Sequence, residues 1–248
     1  MNSQGKIKTG LFEGLPAREY FAAEGLNQST LKGYQECAMK GRALELSRAA
    51  ERKPSQALVL GSALHASILE PDVYASEFVV GPKVDRRTKA GKLEFKDFEE
   101  ASKGKTIVDA LTADAVEAMS KSVEAHPIAA ELLSGEGANE LSIFWRSKLE
   151  GSAGQLCKAR LDRLTSFEGV PAVVDLKTTR DSASPDSFAK TCAKFGYAVQ
   201  AAWYLEGLET LFPASRRFIF IVVESTPPHC VSVCELSYPS LMDGRTKA

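Results

Sequence analysis

The sequence lacks three features that would assign it to a common class of proteins. It has no run of about 18 uninterrupted apolar residues, so no transmembrane helix is expected. The segment Met1–Lys6 contains no apolar core, so a secretory signal is not expected there. A phosphate-binding loop of the form Gly-x-x-x-x-Gly-Lys-(Ser/Thr) is missing, which disfavours a nucleotide-binding protein. The first two absences predict a cytoplasmic protein.

Cysteine is scarce, with five residues in a chain of 248, and its spacing suggests no special chemistry. The cysteines are Cys37, Cys157, Cys192, Cys230 and Cys234. None of them stands in a Cys-x-x-Cys pair, the spacing typical of zinc and redox sites. Reduced thiols in a cytosolic protein are therefore expected. A metal site built from His229 and the two nearest cysteines is the less favoured alternative.

Neither sign of charge dominates the chain, which has 31 Lys and Arg, 32 Asp and Glu, and a net charge of −1. This balance argues against a uniformly basic coat for nucleic acid, but DNA affinity depends on local basic surface. The segment Lys83–Lys92 is locally basic, with Asp85 as its single acidic residue. We expect it to be an exposed loop leading into a helix. It is either a solvated run of charge or a contact for DNA phosphates.

Composition and periodicity predict an α+β (α/β) fold, with a helical region before a mixed central sheet. The apolar and charged fractions, 44% and 25%, are ordinary for one globular domain over residues 1–248. Residues 1–135 are expected to be mainly helical, and residues 136–248 to form the sheet core. The first predicted helix starts at Asn27 or Ser29 and runs through Ala38. The other predicted helices cover Ala57–Leu69 (ended by Pro71), Thr88–Ser102, Thr112–Leu133 with a break near His126, Pro185–Lys194 capped by Ser184, and Tyr197–Phe212. The predicted strands are Leu141–Arg146, Gln155–Leu164, Ala172–Lys177, Arg217–Glu224 and Val231–Leu236.

Acidic and basic residues alternate at the end of one apolar strand. Side chains alternate along a strand, so Asp175 and Lys177 point to the same side. On the preceding strand Asp162 shares a face with Lys158 and Arg160. Two carboxylates and a lysine are thus expected to converge at the open end of a hairpin. This combination predicts a divalent-metal site, whereas a surface hairpin with a solvated Asp and Lys is the alternative.

The residue types suit phosphodiester cleavage. Magnesium prefers oxygen ligands in octahedral geometry and keeps several waters. Asp162, Asp175 and the backbone carbonyl of Leu176 would leave positions open for water and a phosphate oxygen. A bound metal polarises the phosphoryl group and lowers the pKa of its water, and a second ion can stabilise the leaving oxygen. Lys177 would position the attacking water or offset developing negative charge.

A polar pair follows on a predicted helix. Gln200 and Tyr204 are four residues apart, so they share a helix face. The amide and the hydroxyl can donate to phosphates or hold a ligand carboxylate in place. The alternative is that Tyr204 packs in the core with Trp203 and that Gln200 is incidental.

Together these residues resemble the RecB-type motifs of the PD-(D/E)XK nuclease superfamily, in its lambda-exonuclease-like branch. Three further segments resemble the exonuclease domain of the exodeoxyribonuclease VIII (RecE) family. They are Leu60–His65 with Ile68–Pro71, which carries a Gly-x-x-x-His motif, the basic run Arg86–Lys92, and the capped helix start Asn27–Leu31. The resemblance covers residues 27–224, with five motifs in the family's order.

The resemblance implies a restriction-endonuclease-like fold and assigns roles to individual residues. The implied metal ligands are His65, Asp162 and Asp175, with Glu140 on the preceding strand as a further candidate, and the Leu176 carbonyl joins them on the coordination argument above. The implied catalytic residues are Lys177, Asp175, Asp162, Gln200 and Tyr204. The expected DNA contacts are Arg86, Arg87, Lys89, Lys92 and Arg160, and the two arginines suit a terminal phosphate because of their forked guanidinium groups.

The resemblance also implies an activity. It predicts a 5′→3′ double-stranded DNA exonuclease that uses two Mg²⁺ or Mn²⁺ ions and leaves 3′ single-stranded overhangs. The expected partners are duplex DNA ends, a single-strand annealing protein (RecT/Redβ-like) and further copies in a trimeric or tetrameric ring, in a bacterial or phage-encoded system. The family continues past its last strand with another helical segment, whereas this chain ends at Ala248. A structure-specific or endonucleolytic DNase of the superfamily, and a DNA-end-binding scaffold, are the alternatives.

Overall fold

The computed structural model describes residues 8–46, 54–148 and 153–248. Within these ranges the chain forms strands and helices in an irregular order. The strands are β1 (Gly10–Phe12), β2 (Phe78–Val80), β3 (Thr106–Val108), β4 (Gly137–Arg146), β5 (Leu156–Phe167), β6 (Val170–Thr179), β7 (Arg217–Glu224) and β8 (Val231–Glu235). The helices are α1 (Ala17–Ala22), α2 (Gln28–Glu36), α3 (Ala38–Leu46), α4 (Gln56–Leu69), α5 (Pro71–Glu77), α6 (Lys89–Ala101), α7 (Ala110–Ala125), α8 (Pro127–Ser134), α9 (Pro185–Phe195), α10 (Tyr197–Leu211) and α11 (Tyr238–Lys247).

A six-stranded mixed sheet organises the chain, in the order β1-β4-β5-β6-β7-β8. Strands β6 and β7 are parallel, and the other neighbours in this sheet are antiparallel. A parallel pair needs a long crossover connection, and here α9 and α10 provide it. Strands β2 and β3 form a separate two-stranded parallel sheet. The predicted α+β fold with a mixed central sheet is therefore confirmed.

Alternating apolar residues give the sheet two buried faces. On β7, Phe218 and Phe220 pack against α9 and α10, while Ile219 and Ile221 pack against α4, α7 and α8. We call the first layer the α10 core and the second the α7 core. A strand buried on both faces is expected to be continuously apolar, as β7 is. Among the residues described, no helix has the length and apolarity needed to cross a lipid bilayer.

Most predicted elements are present, with shifts at their ends. The helix capped by Asn27 stops at Glu36, because Cys37 is extended, and α3 follows separately. The break near His126 is confirmed, and the His126 ring accepts a hydrogen bond from the backbone N–H of Ala129 at 3.3 Å. The cap of α7 is Asp109, three residues before the predicted start at Thr112.

The predicted helix end at Leu69, just before Pro71, is confirmed, and Pro71 then occupies the first turn of α5, where its missing N–H costs nothing. Two other features differ from the prediction. Ser184 precedes α9 but makes no capping hydrogen bond through its side chain. The residues after β8 form α11, a helix absent from the prediction. Residues 149–152 of the predicted β4–β5 turn lie outside the described ranges.

Helix α10 approaches the sheet closely at Gly207. A Cβ atom at this position would lie 2.8 Å from Ile143 and from the Trp145 ring, which is closer than packed carbon atoms tolerate. Gly61 in α4 differs, because a Cβ atom there would have the Thr178 hydroxyl as its nearest neighbour, 3.8 Å away. The two glycines therefore give a matched pair with opposite expectations.

We predict that Gly207→Ala destabilises the protein and Gly61→Ala stabilises it. Alanine gains about 1 kcal/mol over glycine inside a helix, and overpacking a core costs about 1–3 kcal/mol. At Gly207 the cost exceeds the gain, whereas at Gly61 only the gain applies. Urea unfolding of both variants measures the change, and shifts of the same sign would contradict this packing.

Candidate metal centre

Two acidic residues emerge at a kink shared by β4 and β5. In the α10 core, Ala138 and Leu141 of β4 face Leu164 and Leu161 of β5. The interval between core residues on each strand is three, whereas a regular strand repeats every two. Asn139 still pairs with Arg163 at the kink, whereas Glu140 and Asp162 interrupt the register. Glu140 and Asp162 lie at this point and are thereby brought to the edge of the core.

The backbone of Glu140 is strained at the kink. Its φ of +49° lies in the left-handed region, which residues other than glycine rarely adopt. Such strain costs on the order of 1 kcal/mol and persists where the surrounding structure enforces it, often at functional sites. Here the strain accompanies the placement of a carboxylate beside Asp162.

Strands β5 and β6 separate where the acidic residues lie. Their pairing ends at Arg163 and Val174. Beyond this point the Asp162 carboxylate takes the place of a backbone partner, and its Oδ2 accepts a 2.8 Å hydrogen bond from the Leu176 N–H. Leu26 pairs with Cys157 on the vacated edge of β5. The separation opens a space into which side chains from three elements project.

His65 reaches this space from α4, as the Gly-x-x-x-His motif predicts. Its Nε2 lies 2.8 Å from the Leu176 carbonyl and its Nδ1 lies 3.5 Å from Asp162 Oδ2. Burial, together with the positive charge of Lys177, lowers the pKa of the imidazole. A neutral ring that donates through Nε2 presents a lone pair at Nδ1. That lone pair faces a carboxylate oxygen, so a proton or a cation between them is needed to satisfy both.

A three-residue cluster with the composition of a metal site results. Ligand atoms of His65, Glu140 and Asp162 all lie within 4.8 Å of one another. Burial and the charge of Asp162 raise the pKa of Glu140 to about 6, although Arg160 donates a 2.5 Å hydrogen bond to its carboxylate. Burial and the charge of Asp175 raise the pKa of Asp162 to about 8. Carboxylates held close together in a buried site disfavour each other's negative charge, so they attract a proton or a divalent cation.

Asp175 completes the acidic set from the other side of the opening. It is 1% exposed, and its Oδ1 accepts a 2.7 Å hydrogen bond from Gln200 Nε2. Its Oδ2 lies against the Lys177 ammonium, yet no described residue donates it a hydrogen bond of good geometry. Buried carboxylate oxygens are normally hydrogen-bonded. An incompletely satisfied oxygen here fits a group that binds a cation, so the donor set suits Mg²⁺ or Mn²⁺.

The predicted lysine and the predicted helical pair are also in place. Burial opposes the charge of Lys177, but Asp175 and Asp162 outweigh it and raise the pKa of the amine. The Lys177 ammonium lies 4.8 Å from the centre of the Tyr197 ring. Gln200 holds a carboxylate in place, one of the two roles predicted for it. Burial, and then the charge of Asp175, raise the pKa of the Tyr204 phenol, which lines the cleft.

The cleft has a volume of about 520 Å³, and residues that sequence reasoning missed shape its walls. Lys158 is fully buried, and its ammonium donates 2.7 Å hydrogen bonds to the carbonyls of Tyr20 and Ala23. It thereby fixes the end of α1 beside the cleft. Glu70 also lines the cleft, 3.9 Å from the Arg160 guanidinium. Glu70 belongs to one of the family-like motifs. The structural role of Lys158 could not be predicted, because a lysine on a strand gives no sign of its hydrogen-bond partners.

Three of the five predicted DNA contacts, Arg160, Arg86 and Arg87, have partners within the protein. Arg160 bonds to Glu140 and to the Leu15 carbonyl, at 2.5 and 2.7 Å, so its guanidinium supports the acidic cluster. In the basic segment, Arg86 lies 4.0 Å over the Phe95 ring, and Arg87 forms a forked pair with Asp85. The segment is exposed and leads into α6, as expected. A DNA-binding role for it stays a prediction, as it does for Lys89 and Lys92.

The raised pKa of Asp162 gives a prediction for the protein in chelator. The pKa is about 8 in the fold and 3.8 in the unfolded chain. The folded state therefore keeps a proton that the unfolded state has lost, and stability falls as pH rises between these values. His65, with its lowered pKa, and Glu140 at about 6 change charge mainly below pH 6.5, the ordinary imidazole value.

Between about pH 6.5 and 8 we expect the free energy of unfolding to fall by about 2 kcal/mol, at about 1.4 kcal/mol per pH unit. Asp162→Asn removes the titrating group, so its unfolding free energy should stay nearly constant across this range. The exposed Asp114→Asn is the control and should keep the wild-type slope. A wild-type protein whose stability does not change over this range would contradict the assignment.

Comparison with known proteins agrees with the geometry. The chain is similar to a solved structure from Eubacterium rectale described as a "putative exonuclease", at 14% identity and a TM-score of 0.60, over 94% of this chain and 82% of that one. It also matches SSO0001, at 14% identity over 76% of this chain and 84% of that one, but the TM-score of 0.31 carries no argument. At such identity the first likeness shows the fold alone.

No curated protein matches the sequence. A family model described as a PDDEXK-like domain of unknown function (DUF3799) matches residues 27–247. The match supports the PD-(D/E)XK part of the predicted resemblance, and the narrower assignment to the exodeoxyribonuclease VIII family stays a prediction. Since the match covers most of the chain, this protein belongs to the DUF3799 family of PDDEXK-like domains.

Proposed function

We propose that the protein is a metal-dependent nuclease that degrades double-stranded DNA from its ends. The observation that carries the proposal is the cluster of His65, Glu140 and Asp162, with ligand atoms within 4.8 Å of one another. Asp175 and Lys177 stand at the same opening between β5 and β6. Carboxylates beside a lysine in a family of PDDEXK-like domains support phosphodiester hydrolysis.

Four side chains of the site would hold the metal ions. A bound Mg²⁺ or Mn²⁺ would polarise the phosphate and acidify a water. His65, Glu140, Asp162 and Asp175 would hold one or two such ions, and the resemblance favours two. The Leu176 carbonyl already accepts from His65, so a role as a ligand would use its second lone pair.

Other residues prepare the site before DNA arrives. Gln200 fixes the Asp175 carboxylate through one oxygen and leaves the other free of a directed hydrogen bond. Lys177 is charged in the fold, so its ammonium offsets negative charge that develops on the phosphate. Because the site is largely buried, these electrostatic effects are stronger than they would be in water.

The finer activity rests on the resemblance. We infer 5′→3′ polarity, a preference for duplex ends and 3′ single-stranded overhangs as products. These overhangs are the substrate of a single-strand annealing protein, which makes DNA recombination the expected setting. The ring of three or four copies belongs to the same inference. The choice of exonuclease over endonuclease rests on the same resemblance, and the solved structure from Eubacterium rectale that shares the fold is described as a "putative exonuclease".

End-labelled linear duplex DNA tests polarity and mode of attack. With Mg²⁺ we expect the 5′ label to be released early, the 3′ label late, and a covalently closed circular duplex to stay intact. Chelator should stop all release. A cut circle would instead identify an endonuclease of the same superfamily. Binding of DNA ends without any release, in either Mg²⁺ or Mn²⁺, would favour a scaffold.

Substitutions at the site test the chemistry. Asp175→Asn and Lys177→Met should each lower the cleavage rate by at least about 10²-fold, the usual cost of removing one group that stabilises a transition state. The control is Lys121→Ala on the surface of α7, where Lys121 pairs with Glu117 and its side chain is 70% exposed. It should cleave at the wild-type rate. Full activity in Asp175→Asn or Lys177→Met would refute the proposal.

A further inference from the structure

A polar groove lies along α9, outside the cleft that holds the acidic cluster. Its volume is about 400 Å³. The groove is lined by Asp181, Ser182, Ser187, Lys190, Thr191 and Lys194. The last four of these repeat at helical spacing and therefore form one face of α9. Two ammonium groups and three hydroxyls against one carboxylate make this a surface suited to an anionic chain.

The cationic groups of this face are available. Lys190 and Lys194 are exposed, and neither forms an ion pair with an acidic residue among those described. A third ammonium adjoins them, because Lys32 of α2 donates a 2.9 Å hydrogen bond to the Phe195 carbonyl. Lysines that lack acidic partners can bind phosphates and release the cations condensed on the nucleic acid, which is the main source of non-specific affinity.

An exposed aromatic ring stands at the end of the same face. Phe195 is 44% exposed, and the Lys194 ammonium lies 5.3 Å from its ring centre. The ring stacks on Tyr197, with centroids 5.8 Å apart and planes at 24°. Proteins that hold single strands combine a basic groove with rings on which bases stack. In a duplex the base faces are covered, so the ring favours single-stranded DNA.

The groove lies close to the metal centre in two respects. Through side chains, the Tyr197 ring that supports Phe195 lies 4.8 Å from the Lys177 ammonium. Along the backbone, Thr178 at the end of β6 lines the cleft, and Asp181, a few residues later, lines the groove. The Asp181 N–H donates to the Thr179 hydroxyl at 3.1 Å, which fixes this short link. The groove is therefore near enough to the metal centre for one DNA strand to contact both.

We propose that the α9 groove, with Phe195 at its end, binds the single-stranded DNA that adjoins the cutting site. Lys190, Lys194 and the hydroxyls contact phosphates, and Phe195 stacks on a base. This inference rests on the proposed nuclease function and adds a site for the single-stranded part of its substrate or product. Double-stranded DNA makes the phosphate contacts without the stacking.

Fluorescence anisotropy in chelator tests the groove without cleavage. The probes are a labelled oligothymidylate and a labelled duplex of equal length, titrated between about 50 and 200 mM salt. For Lys190→Ala/Lys194→Ala we expect single-strand affinity to fall on the order of tenfold and the salt dependence to weaken by about 0.7 per lysine. For Phe195→Ala we expect a fall on the order of tenfold with unchanged salt dependence. Lys121→Ala should bind as wild type.

Wild-type single-strand affinity and salt dependence in both groove variants would overturn the proposal. Loss of duplex affinity alone would also overturn it, because it would make the groove a duplex contact. The outcome is separate from that of the nuclease proposal, which is read from cleavage by the wild-type protein in Mg²⁺. If the wild type cleaves DNA and the groove variants bind single strands normally, the groove proposal is refuted and the nuclease proposal is retained.

Discussion

The hydrogen bond from the Leu176 N–H to the Asp162 carboxylate is the interaction on which the rest of the site depends. It substitutes a side chain for the strand partner that β6 loses when it separates from β5. Without such an acceptor, a buried backbone donor would be left unsatisfied at a cost of about 1–3 kcal/mol. The bond thus lets the sheet open without that penalty. It also turns the Leu176 carbonyl to His65 and places Asp175 on the far side of the opening.

The opening concentrates negative charge where water is scarce. Burial raises the pKa of both Glu140 and Asp162, and the charge of Asp162 raises the first further, as the charge of Asp175 does the second. Lys177 and Arg160 compensate part of the charge from two sides. In the absence of an ion a proton can sit between Asp162 and the His65 lone pair. Metal binding would replace that proton, so the same geometry that destabilises the metal-free protein at high pH makes the site receptive to a divalent cation.

Sequence reasoning succeeded where the signal is local. The two-residue period of a strand places Asp175 and Lys177 together, and the four-residue spacing of a helix places Gln200 and Tyr204 on one face. The capping residue Asn27 and the break near His126 follow from backbone chemistry in the same way. The acidic residues of the site can thus be named from the sequence without knowledge of their geometry.

Features that depend on distant parts of the chain could not be predicted. The kink at Glu140 and Asp162 appears once the partners of β4 and β5 are known, since each strand alone looks regular. Lys158 bonds to Tyr20, which lies 138 residues away along the chain. Arg160 was predicted to contact DNA because the sequence gives its strand face. The sequence does not show that Glu140 on the neighbouring strand accepts a hydrogen bond from it. Helix α11 was missed because its sequence carries a weak apolar pattern.

The central claim is that His65, Glu140, Asp162 and Asp175 hold a divalent ion beside Lys177. A crystal structure of the protein soaked in Mn²⁺, with the anomalous signal of manganese recorded, tests it most directly. We predict an anomalous peak within coordination distance of an Asp162 carboxylate oxygen and of at least one further ligand atom from His65, Glu140 or Asp175. A well-occupied peak elsewhere on the surface, or no peak at Mn²⁺ concentrations that support cleavage, would contradict the claim.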